Sequence, residues 1–302
     1  MIRKLSGLLL LLAALALPAG VFGAEAFKAR YITTVYTDDK GVSISQPGGL
    51  ACTGDTLIVG DSGNDRLLVY GYKNENLTGG KEIKVSQMGY PIKVRRNSKG
   101  DLFVPDEKQH RILHLKPDGT FVEFLAPTDL PDTQTMDPKG VALDAGDNIY
   151  ILDIYSGRVV ILSPDGKFLR QIAFPEDYGF MSDIAVNTRG DILLLDSVKA
   201  VIYSAPKDSN SFSPLTKSMK EYMNFPVAMT TDTKGNIYVV DRNGGGIVML
   251  GLDGSFKGRQ LRLGWRTDEV YYPTDVCVNE NGDMFVADRN NNRIQIYSTE
   301  NP

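Results

Sequence analysis

Asn148-Ile149-Tyr150-Ile151-Leu152-Asp153 is a short apolar run of strand-forming residues closed by a carboxylate, and the chain contains six such runs. The others are Leu57-Ile58-Val59-Gly60-Asp61, Leu102-Phe103-Val104-Pro105-Asp106, Ile192-Leu193-Leu194-Leu195-Asp196, Ile237-Tyr238-Val239-Val240-Asp241 and Met284-Phe285-Val286-Ala287-Asp288. Their closing aspartates recur every 43 to 47 residues. Four short strands and their turns fill such a period, and a ring of such units is a β-propeller. Outward from each run the pattern repeats. A shorter apolar strand precedes it across a glycine turn, as in Lys99-Gly100-Asp101 and Asn281-Gly282-Asp283; glycine supplies the positive φ that a tight hairpin needs. A polar loop follows the aspartate, then a third strand that begins at Arg66, Arg111, Arg158 or Arg293. The expected fold is all-β, a six-bladed propeller of four-stranded blades.

Two blades depart from the pattern. In the fourth, Ala200 is read as standing where the others have arginine, after a loop one residue shorter; in the fifth, Gly246 takes that place behind Gly244 and Gly245. The sixth repeat stops at its third strand. The β-rich segment 29–36 near the start is therefore predicted to complete the last blade, which would close the ring and remove open sheet edges.

Pro138 to Asp144, with the run ending at Asp153 and then Arg158-Val159-Val160-Ile161, resembles the NHL repeat, as does Asp288-Arg289-Asn290-Asn291-Asn292-Arg293-Ile294. The resemblance spans roughly residues 45–299. It implies the propeller fold and says little about activity, because the motif is structural. A WD40 reading fits poorly, since the one tryptophan, Trp265, falls in a loop.

The N-terminus reads as a secretory signal: Arg3 and Lys4, an apolar run from Leu8 to Leu17, Pro18, then small residues. The apolar run is shorter than the ~20 residues that span a bilayer. The expected organisation is a signal peptide at 1–23 and one propeller domain at 24–302, with the protein exported to a periplasm or the extracellular space and no membrane span in the mature chain. Net charge is −4. Loss of Arg3 and Lys4 takes it to −6, with 31 basic against 37 acidic residues. Without clustered lysine and arginine, nucleic acid is a disfavoured partner.

An aspartate present in every blade serves the blade, by holding backbone N–H groups of the following loop. The informative positions are those where blades differ. Aligned early in the first strands, which line the central channel, are Gly49, Lys93, Gly140, Asp183, Ala228 and Asp275. They are expected to share one channel mouth. Asp183 and Asp275 are candidate ligands for a hard cation, calcium above all; alternatively Lys93 pairs with them. No cofactor is required by the sequence. The loops of the same face carry Tyr90, Tyr178, Phe180, Tyr222, Phe225, Trp265, Tyr271 and Tyr272. Tyr178, Trp265 and Tyr271 are candidate partner-binding residues, because aromatics bury large area while keeping a polar tip. The two histidines, His110 and His114, cannot form a three-histidine zinc site within one chain. Cys52 and Cys277 lie in the first strands of blades that become neighbours when the ring closes, on opposite faces of their blades. They either face each other across the seam, as a candidate disulfide, or both face away. The leading expectation is a non-enzymatic binding or scaffold propeller that offers its loop face to a protein, peptide or glycan. The alternative is a cation-dependent hydrolase or lyase, lactonase-like, working at the channel mouth.

Overall fold

A computed structural model describes residues 27–299 apart from 128 and 132–134. The expected signal peptide lies outside the described residues. Six four-stranded antiparallel sheets form the blades. Blade 1 runs from Leu50–Cys52 through Thr56–Asp61 and Arg66–Lys73 to Asn76–Ile83, and blade 3 from Pro138–Leu143 through Ile149–Asp153 and Arg158–Leu162 to Phe168–Ala173. Blades 2, 4 and 5 repeat this order from first strands Arg95–Arg96, Met181–Val186 and Pro226–Thr231. The first strands of neighbouring blades touch one another around the ring, which places them on the channel.

Blade 6 is built from both chain ends. Asp275–Val278, Asp283–Asp288 and Arg293–Ser298 supply three strands, and Arg30–Val35 adds the fourth against Arg293–Ser298, with Arg30 opposite Ser298 and Val35 opposite Ile294. The ring thus closes as the unfinished sixth repeat requires.

The second strands are apolar on both faces because each blade is buried between two others. Alternation then sends Ile192 and Leu194 of blade 4 toward blade 3, and Leu193 and Leu195 toward blade 5. Every seam between blades holds its own hydrophobic cluster, so the core is a ring of six interfaces. Cys52 and Cys277 face each other across the seam of blades 1 and 6, joined as a disulfide with Cα atoms 6.1 Å apart.

Each blade aspartate is buried and accepts from backbone in the loop leading into its blade; those of blades 2 to 5 also bind backbone of the loop after them, whereas Asp61 and Asp288 there bind the side chains of Asn64 and Asn291. Asp196 accepts from Val198 and Lys199 in the loop after it, and from Gly179 and Phe180 in the loop leading into its blade. The second set, invisible in the repeat, ties consecutive blades together. Arg66, Arg158 and Arg293 pair through Nε with Asp61, Asp153 and Asp288 at 2.7, 3.0 and 2.6 Å. Arg111 differs: it is exposed and lies over the Phe124 ring at 5.0 Å.

The structure corrects the reading of blade 4. The residue opposite Asp196 is Val201, and the loop has the ordinary length. Ala200 occupies the left-handed position (φ 53°) that Asp65, His110, Gly157, Gly245 and Asn292 occupy elsewhere. Valine therefore replaces the arginine. In blade 5 Gly246 does stand opposite Asp241, and Arg259 from the outer strand reaches in to pair with that carboxylate at 2.8 Å. A Cβ at Gly246 would lie 2.7 Å from Nη2 of Arg259, so the glycine makes room for the substitute guanidinium. The outer strand of blade 4 is reduced to Ser213–Pro214, and Met219 and Met223 fill the seam beside it.

Candidate functional site: the channel mouth and its loop face

Strand register places the channel positions. Gly140, Asp183, Ala228 and Asp275 each sit opposite the residue preceding a blade aspartate: Leu152, Leu195, Val240 and Ala287. They are therefore equivalent and lie at one level of the channel. Three of the six converge. Lys93 Nζ donates to Asp183 Oδ2 at 2.9 Å and to Asp275 Oδ1 at 2.8 Å, and all three side chains are buried. The remaining oxygens hold the ring. Asp275 Oδ2 accepts from Leu50 N of blade 1 at 2.9 Å, with Arg95 Nη1 3.6 Å away. Asp183 Oδ2 also accepts from Met229 N of blade 5 at 2.7 Å, whereas its Oδ1 is buried without a partner, 3.5 Å from where a Cβ on Gly140 would stand. Gly49 is small because Lys93 passes against it: a Cβ there would lie 2.3 Å from Lys93 Cα.

This bar of charges spans the channel. Each carboxylate is desolvated, and the ammonium between them supplies the compensation that a buried anion requires. A cation held by Asp183 and Asp275 together would have to displace Lys93.

Above the bar lies the face formed by loops into the first strands and loops after the second strands. Exposed large apolar side chains gather there. Tyr155, Tyr178, Phe180 and Val198 surround the junction of blades 3 and 4; Leu263, Trp265, Tyr271 and Tyr272 surround that of blades 5 and 6. Trp265 is 76% exposed and Tyr178 41%. Elsewhere among the described residues the exposed large hydrophobics are Tyr36 and Val42, leading into blade 1, and Val122, Leu169 and Phe256 on outer strands. Tyr178 is braced edge-on by Phe174, and Tyr271 by Tyr272. Tyr90, Tyr222 and Phe225 are half-buried; Tyr222 stacks on Phe256 at 4.0 Å and Phe225 packs against the seam of blades 5 and 6.

Of the two histidines, His110 lies in the blade 2 loop of this face and His114 in the third strand of blade 2. His110 is exposed beside Asp137, and His114 stacks on Phe103 while meeting Asp101 at 3.1 Å. The opposite end of the channel opens into a cavity of about 420 Å³ edged by Asp144, Thr188, Arg189, Asp232 and Glu280. The Arg189-Gly190-Asp191 turn there is closed on itself, with Arg189 paired to Asp191 at 2.6 Å.

Sequence reasoning missed one ring of positions, the residue after each blade aspartate: Ser62, Glu107, Ile154, Ser197, Arg242 and Arg289. Its signal was available as variation immediately beside an invariant residue. Arg242 is held below the usual arginine range, first by burial and then by the charge of Arg289.

The NHL repeat family matches residues 270–297. No curated protein matches the sequence. Among solved structures, a streptogramin B lyase is 15% identical over 92% of this chain and 89% of its own, with a TM-score of 0.59. Virginiamycin B lyase from Staphylococcus aureus is 13% identical over 90% of this chain and 99% of its own, at 0.62. A proposed gluconolactonase is 14% identical over 91% and 94%, at 0.65. At these identities the likeness is one of fold.

Proposed function

We propose that this NHL-repeat propeller is an exported binding protein that presents its loop face to a protein, peptide or glycan. The carrying observation is the gathering of exposed aromatics on that face, in two clusters astride the channel mouth. Solvent-facing rings braced edge-on by their neighbours are rigid, and rigid aromatic anchors bind at low entropic cost. The charge bar beneath supports the same reading, since Lys93 already bridges the two carboxylates that a channel-mouth cation would need. The test is to immobilise the mature protein on peptide and glycan arrays beside its W265A/Y178A variant. Loss of capture at an unchanged melting temperature supports the face; equal capture by the variant rejects it.

A second reading, a cation-dependent hydrolase or lyase, draws support from the lyases and the proposed gluconolactonase that share the ring. Under it, calcium raises the melting temperature of chelator-treated protein by mass action. Asp275→Asn then removes that rise together with any turnover of lactones or esters. Retained turnover would reject the assignment.

A further inference from the structure

In three blades the residue after the blade aspartate bonds to the first strand of the next blade or to the segment leading into it. Ser62 Oγ donates to Pro91 O at 2.5 Å and Ser197 Oγ to Pro226 O at 2.5 Å. Glu107 accepts from Lys139, in the first strand of blade 3, at 3.3 Å. In blades 5 and 6 this position holds Arg242 and Arg289. Arg289 reaches across blade 1 to neutral partners, donating to Tyr90 Oη at 2.6 Å and Gln46 Oε1 at 3.3 Å. Arg242 feels the charges of both Arg289 and Glu107, which reach it from blades 6 and 2, and its buried Nε has no partner. Among the residues after the blade aspartates and their direct partners, Lys139, Arg242 and Arg289 thus stand against one carboxylate, Glu107, in a chain whose net charge is −4. The acids below add no free negative charge, because Lys93 bridges them and Arg95 stands beside Asp275. Two half-buried guanidiniums that repel one another are stabilised by an anion between them, and the planar fork of arginine fits carboxylate and phosphate oxygens.

We infer that the channel mouth is an oxyanion site in which Arg242 and Arg289 clamp a carboxylate or phosphate group of the ligand, with the Tyr90 hydroxyl beside it. This rests on the reading of the loop face as the binding surface and gives that surface a charged centre between its aromatic clusters.

The test is calorimetric titration with inorganic phosphate and, separately, malonate, at constant ionic strength. Saturable binding of phosphate alone assigns a phosphate ester, of malonate alone a carboxylate, and of both the shared oxyanion chemistry. Arg242→Gln and Arg289→Gln should each weaken binding about tenfold or more, as removal of a charge-assisted hydrogen bond does. Glu107→Gln should tighten binding by relieving repulsion, a gain that misfolding cannot imitate. W265A/Y178A should bind the small anions as wild type does, so failure of the aromatic face and failure of the anion site are separable. Three results each overturn the inference: neither anion binds, the R242Q/R289Q double variant binds as wild type, or E107Q shows no gain.

Discussion

Replacing Lys93 with methionine should destabilise the ring more than any other single change at the channel. The side chain is 7% exposed and its two carboxylate partners are fully buried. Methionine fills the volume but leaves two desolvated anions facing each other. Removing one partner of a buried ion pair costs about 3–5 kcal/mol. For a domain of this size that corresponds to a fall in melting temperature of about 10 °C. The two carboxylates are not equally exposed to the loss. Asp275 keeps the Leu50 N–H and the nearby Arg95, whereas Asp183 keeps only the Met229 N–H. Adding Asp183→Asn to K93M should therefore recover more stability than adding Asp275→Asn. Urea and thermal unfolding of the four proteins measure this directly. A K93M variant as stable as wild type would refute the argument that the bar compensates buried charge. Equal rescue by the two asparagines would refute the asymmetry.

The C52A/C277A variant should lose up to about 5 kcal/mol, the loop-closure estimate for a crosslink spanning 225 residues, and reductant should destabilise wild type but leave the variant unchanged in urea titrations. Arg259→Met should destabilise blade 5 by about 3 kcal/mol, since it strips the buried Asp241 of its guanidinium; hydrogen exchange that is no faster in Ile237–Asp241 would contradict the substitute role. Asp38 is held below the ordinary carboxylate range: burial, the largest influence, opposes this, but the Val42 N–H, Arg66 and the Lys40 N–H outweigh it. Because its pKa is depressed by folding, its contribution is present above the ordinary carboxylate value and disappears as pH falls through the folded one. Asp38→Asn should therefore flatten the acid limb of stability against pH, and an unaltered limb would show that the carboxylate is not so held.

The ring was legible because its signals are local and repeated. A strand buried on both faces must be apolar throughout, so Leu102–Asp106 and Ile192–Asp196 stand out in the sequence and set the period. The missing fourth strand of the last repeat pointed to Arg30–Val35 by subtraction. Register carried the alignment far enough to bring Lys93, Asp183 and Asp275 to one level. What stayed hidden was non-periodic. Arg259 replaces a third-strand arginine from a different strand, and no repeat alignment contains that move. The left-handed backbone at Ala200 shifted the apparent arginine position by one, because φ is not written in residue type there. Arg242 and Arg289 escaped notice for the opposite reason: they belong to no pattern, and their proposed meaning comes only from the charge that each brings to the same ring of positions.

Ring closure by Arg30–Val35 against Arg293–Ser298 sets how the molecule would respond to force. Arg30 is opposite Ser298, so the two chain ends leave the sheet side by side. Tension on them opens that strand pair like a zipper, one hydrogen-bonded pair at a time, which is the weak direction of a sheet. The Cys52–Cys277 link then halts the peeling. Tension passes through the sulfurs and bypasses the 225-residue loop they enclose, so blades 2 to 5 bear no load. A propeller built this way yields early by a short, fixed length and then becomes stiff, a mechanical fuse in series with a closed hoop.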